Sequence, residues 1–397
     1  MNGSAAPFPL TRRGFLSGVS VTAAATAIAP RANATRSAPD SLRVLAYDGQ
    51  WPPTLRERLE HDHGLVVDVT VAATPAEAMD RVRRSTLDGS PARDRRQSPF
   101  DVVSVGLETV ADWTAGGLLS PLPADMSVTW KGVLAAHGAL GKEGRTRFLP
   151  LSLGLDVMFV MGPDMPAPLS DPGDGAGGEP PSWSILLDPA LKSRVTLDPD
   201  GAVWLALRLT DPDGRRLEAA RRDKKAAQDL FRAVDGALAP WRGQAGSLWT
   251  DTATFLDVLS KARTEGTGRA GLAWDVLARH LARAWTEANP INAVVPTEGS
   301  RAWLDGLGIP VNAPTPDAAR RLLSLMARPD MQAMRTKTTG ALPAAPAAWP
   351  LLNAPDARWT QQVLSDGGGL TRLWFPPPLT GPALEAFGNS RDRFEFA

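Results

Sequence analysis

The strongest constraint on this chain is an alternation of two apolar periods between residues 42 and 115. Leu42-Arg43-Val44-Leu45-Ala46-Tyr47 is a compact apolar run of strand length, and Asp48-Gly49-Gln50-Trp51-Pro52-Pro53 turns the chain. Thr54 to His61 sets Leu55 and Leu59 four apart, on one face of a helix. Val66 to Val71 is rich in β-branched residues and reads as a second strand. Pro75 to Leu87 is amphipathic, with Ala78, Met79 and Val82 set apart from its arginines. After a polar, Arg-rich loop over 88–98, Phe100 to Val105 is a third strand and Glu108 to Ala115 a third helix. Strand, helix, strand, helix, strand is the grammar of a doubly wound α/β domain. Ligands in such sheets bind beyond the carboxyl ends of the strands. That places Tyr47 to Trp51 and Val105 to Leu107 at the mouth of a site.

The rest of the chain is long enough for a second domain. Ser182-Trp183 leads to Leu187-Asp188-Pro189-Ala190-Leu191-Lys192, and then to a short strand ending at Asp198. Leu217 to Leu238 and Thr252 to Thr264 carry helical spacing, and Gly271-Leu272-Ala273-Trp274-Asp275 is a short strand ending in Trp-Asp. Val294-Val295-Pro296 closes another apolar strand, a Glu298-Gly299 turn follows, then Trp303 and Asp305 two positions apart, then Ile309-Pro310. Pro316 to Ala327 is a helix, and the signals beyond Pro350 stay coarse. The Gly/Pro/Asp tract from Pro166 to Pro181 reads as a surface loop, and Gly367-Gly368-Gly369 as a flexible turn.

Residues 1–34 read as an address. Arg12-Arg13 forms a twin-arginine n-region, an Ala-rich stretch runs to Ala29, and Ala32-Asn33-Ala34 supplies a cleavage site. The translocase that reads such a signal exports folded proteins. No cysteine occurs, which removes disulfides and the lipid-bearing Cys of tethered exported proteins. A soluble periplasmic chain without a lipid anchor is expected. Basic and acidic residues number 43 each, and losing Arg12, Arg13 and Arg31 with the signal leaves a net charge of −3. A nucleic-acid binder would show a basic excess. No nucleophile–base pair, phosphate loop or metal constellation stands out, so neither an enzyme nor a bound cofactor is expected. His61-x-His63 lacks matching ligands elsewhere.

The ordered landmarks of the mature chain resemble the periplasmic solute-binding proteins of ABC importers, above all the spermidine/putrescine-binding branch. Gly117-Leu118-Leu119-Ser120-Pro121-Leu122, Phe148 to Gly154 as a first crossover, and Thr339-Gly340-Ala341-Leu342-Pro343 as a late loop fit the same series. The resemblance implies a two-domain class II periplasmic binding fold, with domain one at 41–150, domain two at 151–295, and a return at 296–397. It also implies a ligand cleft between domains that shuts by hinge closure, and a monomer that docks on an ABC permease in the inner membrane. Matched residue by residue, Trp303 and Asp305 resemble the family's ligand-facing Trp-x-Asp pair. Trp274 resembles the aromatic at the preceding strand end, Asp198 an acid after the "val-thr-leu" strand, and Tyr47 and Trp51 the aromatic end of domain one. Asp275 stands where the family often has a neutral residue.

An amine ligand needs aromatic faces and carboxylates, and these residue types supply both. Each also has a structural role open to it: Trp303 as a hinge plug, Trp274 as core, Trp51 as a packed residue before Pro-Pro, and Asp198 as a turn residue before Pro199. Glu298 suits the crossover turn, and Arg301 reads as an exposed side chain that could otherwise serve an anion. Gly201, Val105-Gly106-Leu107 and Leu153-Gly154-Leu155 stand where polyamine binders carry acids, hydroxyls or aromatics. The site is therefore less acidic and less aromatic than a spermidine cage. A ligand sensor on the same fold, or an exported enzyme, is the alternative.

Overall fold

The computed structural model describes residues 40–47, 49–87, 98–124, 126, 128–162, 165, 180–284, 291–364 and 368–396. The signal segment with Arg12, Arg13 and Ala34, the Arg-rich loop over 88–97 and the tract over 166–179 lie outside them.

In chain order the elements open with β1 (Asp40–Tyr47), α1 (Pro53–His63), β2 (Leu65–Ala72), α2 (Pro75–Leu87), β3 (Val102–Gly106), α3 (Val110–Ala115), α4 (Lys131–Ala136) and β4 (Leu149–Met161). Then come β5 (Val195–Leu197), α5 (Pro199–Thr210), α6 (Arg215–Ala220), α7 (Lys224–Gln244), β6 (Ala245–Leu248), α8 (Thr252–Thr264), β7 (Arg269–Trp274) and α9 (Asp275–Ala284). The last are β8 (Ile291–Val294), β9 (Ser300–Gly308), α10 (Pro316–Met326), α11 (Pro329–Thr339), β10 (Leu342–Pro343), α12 (Ala354–Leu364), α13 (Gly368–Thr371), β11 (Leu373–Trp374) and α14 (Gly381–Phe396). The chain divides into two compact units. Of the described residues, the first holds those from Asp40 to Ser152 together with Leu304–Leu352, and the second those of Leu153–Trp303 and from Asn353 on.

In the first unit β1 pairs parallel with β2 and with β3, and β3 pairs antiparallel with β9. The last four residues of β1 are all buried, as expected of a strand covered on both faces. Pro53 at the first helical position starts α1, and Gly64 at φ 63° ends it in the left-handed conformation.

In the second unit β4 pairs antiparallel with β7 and β8, and β5 pairs parallel with β6 and β7. The core between sheet and helices gathers Trp183, Leu197, Phe231, Leu272 and Phe387. One expectation changes here, and one element is added. The single helix foreseen over 217–238 is two, α6 and α7, because Asp223 stops one and caps the next by accepting from the Ala226 amide at 2.6 Å. The segment after Asp198, to which the sequence assigned no element, is the helix α5, with Pro199 at its first position and Asp198 as its cap.

Candidate ligand-binding site

Trp303 lies inside β9 rather than at a strand end. Strand alternation puts 301, 303 and 305 on one face. A Cβ on Gly154 would fall 2.2 Å from Trp303 Cε2, so the indole occupies the space a side chain at 154 would need. Arg301 is not the exposed side chain the sequence suggests. It is 7% exposed and bound bidentately to Asp156, with Nε–Oδ2 at 2.7 Å and Nη2–Oδ1 at 2.9 Å. Its guanidinium carbon lies 5.5 Å from the Trp303 ring centroid and 5.9 Å from that of Trp204. Burial alone would lower the Arg301 pKa, but Asp156 in contact, with Asp198 and Asp200 beyond, raises it above the ordinary value.

The neighbouring predicted residues of the second unit meet the same stretch of β4. Leu155 N–H donates to Asp275 Oδ1 at 3.0 Å, and Trp274 is the cross-strand partner of Asp156. Trp274 is 2% exposed and packs edge-on against Trp249 at 5.0 Å. Asp275 is 1% exposed, and burial pushes its carboxyl up to about 7 against the pull of the Leu155 amide and Arg279. Asp198 is buried and accepts from the amides of Asp200 at 3.2 Å and Gly201 at 3.1 Å, the cap of α5.

In the first unit Asp305 pairs through its backbone with Gly106 and is half-buried. Its carboxylate makes no hydrogen bond or ion pair among the described residues. Tyr47 and Trp51 are buried at the carboxyl end of β1 and the turn after it. Ser104 Oγ donates to Gln50 Oε1 at 2.5 Å, tying that turn to β3. Arg335 on α11, which carried no sequence signal, is 5% exposed and donates to Ser152 Oγ. Burial pulls its pKa down to about 10, with the charge of Asp305 opposing.

Residues 54–362 match the family of bacterial extracellular solute-binding proteins. The chain belongs to that family. The spermidine/putrescine-binding periplasmic protein of Escherichia coli (strain K12) is 35% identical over 168 residues, covering 40% of this chain and 41% of the relative. The chain therefore aligns with about two-fifths of that relative's length. Among solved structures, the spermidine/putrescine substrate-binding protein PotD of Streptococcus pneumoniae superposes with a TM-score of 0.65 at 15% identity, covering 90% of this chain and 99% of its own. The GacH receptor of Streptomyces glaucescens, studied unliganded and with acarbose, superposes with a TM-score of 0.60 at 15% identity, covering 90% and 92%. These likenesses establish the two-domain binding-protein fold. Across polyamine-named and acarbose-binding neighbours, the fold does not select a ligand.

The departures from the polyamine-binding pattern have local causes in this solute-binding protein. A Cβ at Gly201 would sit 2.5 Å from Leu272 Cδ2, so an acid there conflicts with the packing under α5. Gly154 is kept bare by Trp303. Glu298 holds its turn by accepting from Ser182 Oγ and from the Trp183 amide at 3.1 Å. A narrow crevice in the second unit is lined by Trp183, Trp204, Trp374 and Ser300. Two of its aromatic faces are already covered by the chain's own cations, Trp204 by Arg301 and Trp374 by Arg208 at 5.7 Å. It is a poor place for an incoming amine.

Proposed function

We propose that this protein is the solute-binding component of an ABC importer, capturing a small solute of the polyamine size class that carries at least one ammonium group. The observation that carries this reading is Asp305. Its half-buried carboxylate has no hydrogen bond or ion pair among the described residues. A partly desolvated carboxylate with free acceptor capacity is what an ammonium requires. Family membership and the spermidine/putrescine-binding relatives support the same class. In this reading Trp303 and Asp305 touch the solute. Trp274, Asp275 and Asp198 shape the strand ends beside β4, and Tyr47 and Trp51 add the aromatic end of β1.

The twin-arginine segment would deliver the folded chain to the periplasm, where it works as a soluble monomer, free of a lipid anchor, and hands its solute to the permease. It performs no bond-making chemistry. Replacing Arg12 and Arg13 together by lysine should retain the protein in the cytoplasm on fractionation. Isothermal titration with putrescine, spermidine and 4-aminobutyrate tests the binding role. At least one should bind, and Trp303→Ala and Asp305→Ala should each weaken it by about tenfold or more, roughly 1.4 kcal/mol. Unchanged affinity in both variants would overturn the assignment.

A further inference from the structure

The sheet of the first unit begins in the order β2-β1-β3. The chain leaves β1 through α1 to β2 on one side, then returns through α2 to β3 on the other. The carboxyl ends of β1 and β3 therefore flank the point where the winding reverses, and ligands of such sheets bind just outside it. β3 is buried along its length, yet the face that carries Ser104 and Gly106 is polar at this end. Ser104 there binds Gln50 from the turn after β1.

Two carboxylates stand on that face. Asp305 is the cross-strand partner of Gly106. The Leu107 N–H donates to Leu304 O at 2.8 Å, so 107/304 is the hydrogen-bonded pair. The next pair, 106/305, is then the kind in which facing side chains come closest. The Thr109 N–H donates to Gly106 O at 3.0 Å, closing a turn that folds Glu108 back over the strand. A Cβ at Gly106 would fall 2.5 Å from Glu108 Oε2 and 2.6 Å from Oε1. The Glu108 carboxylate thus fills the place of the side chain that glycine lacks, a place about 5 Å from the Asp305 Cβ. One ammonium spans such a gap with N–H···O bonds of ordinary length, and a cation there relieves the repulsion between the two acids. Glu108 is exposed and Asp305 half-buried, so a solute reaches both from outside.

We propose that Glu108 is a second solute-touching residue, which with Asp305 takes an ammonium by its N–H donors and so selects primary amines over quaternary ones. A quaternary ammonium has no N–H to give and is held by aromatic faces instead. This rests on the amine-binding reading above and narrows its solute class. It also supplies, one residue on, the polar group missing from Val105-Gly106-Leu107.

Isothermal titration tests it with putrescine and 4-aminobutyrate beside their quaternary counterparts, hexamethylputrescinium and 4-(trimethylammonio)butyrate. Circular dichroism and melting temperature report folding. At least one primary amine should bind the full chain about a hundredfold tighter than its counterpart, because the site's acceptors otherwise go unmet. Glu108→Gln should weaken that amine by about tenfold or more and shrink the ratio. Gly106→Ala keeps the carboxylate but pushes it off the strand, and should weaken binding as well. Glu60→Gln removes the same charge from the exposed end of α1 and should change nothing. Should Glu108→Gln not fold, Gly106→Ala decides: a loss supports the assignment and unchanged affinity overturns it. Equal binding of a primary amine by the wild type and a folded Glu108→Gln would overturn the role of Glu108 and leave the amine reading standing. So would a quaternary compound bound as tightly as its parent amine. Binding of no amine would remove both readings, and calcium bound in its place, lost in Glu108→Gln and Asp305→Asn, would make the pair a metal site instead.

Discussion

Gly154 and Trp303 stand in a relation that only a missing side chain allows. A methyl at 154 would fall on the indole, so Gly154→Ala must displace Trp303 or β4. Overpacking of this kind costs about 1–3 kcal/mol. A melting experiment should show that loss, and titration should show weakened solute binding in a chain that still folds. Asp275 makes the second prediction at this scale. Burial raises its carboxyl from the ordinary 3.8 to about 7. The folded chain therefore holds a proton there that the unfolded chain releases, and the corresponding stability is fully present below pH 3.8 and lost as pH rises through about 7. The full swing amounts to about 4 kcal/mol. Chemical denaturation from pH 4 to 8 should give a stability difference, wild type minus Asp275→Asn, that falls with rising pH. A flat difference would show that Asp275 ionises normally.

Among elements, the joint between α9 and α12 is electrostatic. Asp356 on α12 is fully buried and takes both Arg279, at 2.6 Å, and Arg283 from α9. Removing it leaves Arg279 buried without its counter-ion, a loss of about 3–5 kcal/mol for such pairs. Asp356→Ala should melt far below the wild type, and Arg283→Ala, whose side chain is partly exposed, should cost much less.

The elements also show how much the sequence disclosed. The strands and helices of 42–115 were legible because each β-branched run is bounded by turn residues and each helix has a clear apolar stripe. β9 was not, since Ser300-Arg301-Ala302-Trp303-Leu304-Asp305-Gly306-Leu307-Gly308 has little strand propensity and forms a strand through its neighbours. α5 was not assigned from the sequence, because Pro199 and Gly201 at its start obscure the helical pattern, and with it went Trp204 and Arg208. The candidate site divided the same way. Trp303 and Asp305 were visible as a motif, whereas the Arg301–Asp156 pair joins residues 145 positions apart and has no local signature. Arg335 sits in a helix whose buried face mixes Met331, Gln332, Arg335 and Thr336, so no apolar period marked it.

For the whole molecule, the order of weak landmarks carried the family, and burial then sorted the residues within it. Asp198 is spent on capping α5, Trp274 lies against Trp249, and Asp305 keeps its oxygens available. That residue is why an amine-bearing solute is the central claim. The most direct measurement is a thermal-shift screen of the chain with polyamines, amino acids, organic acids and sugars. A solute that binds only the folded state adds about 2.7 kcal/mol at a hundred times its dissociation constant. The account predicts a rise in melting temperature with amine-bearing compounds that disappears in Asp305→Ala and Trp303→Ala. A rise with a sugar or a dicarboxylate, with none from any amine, would contradict it.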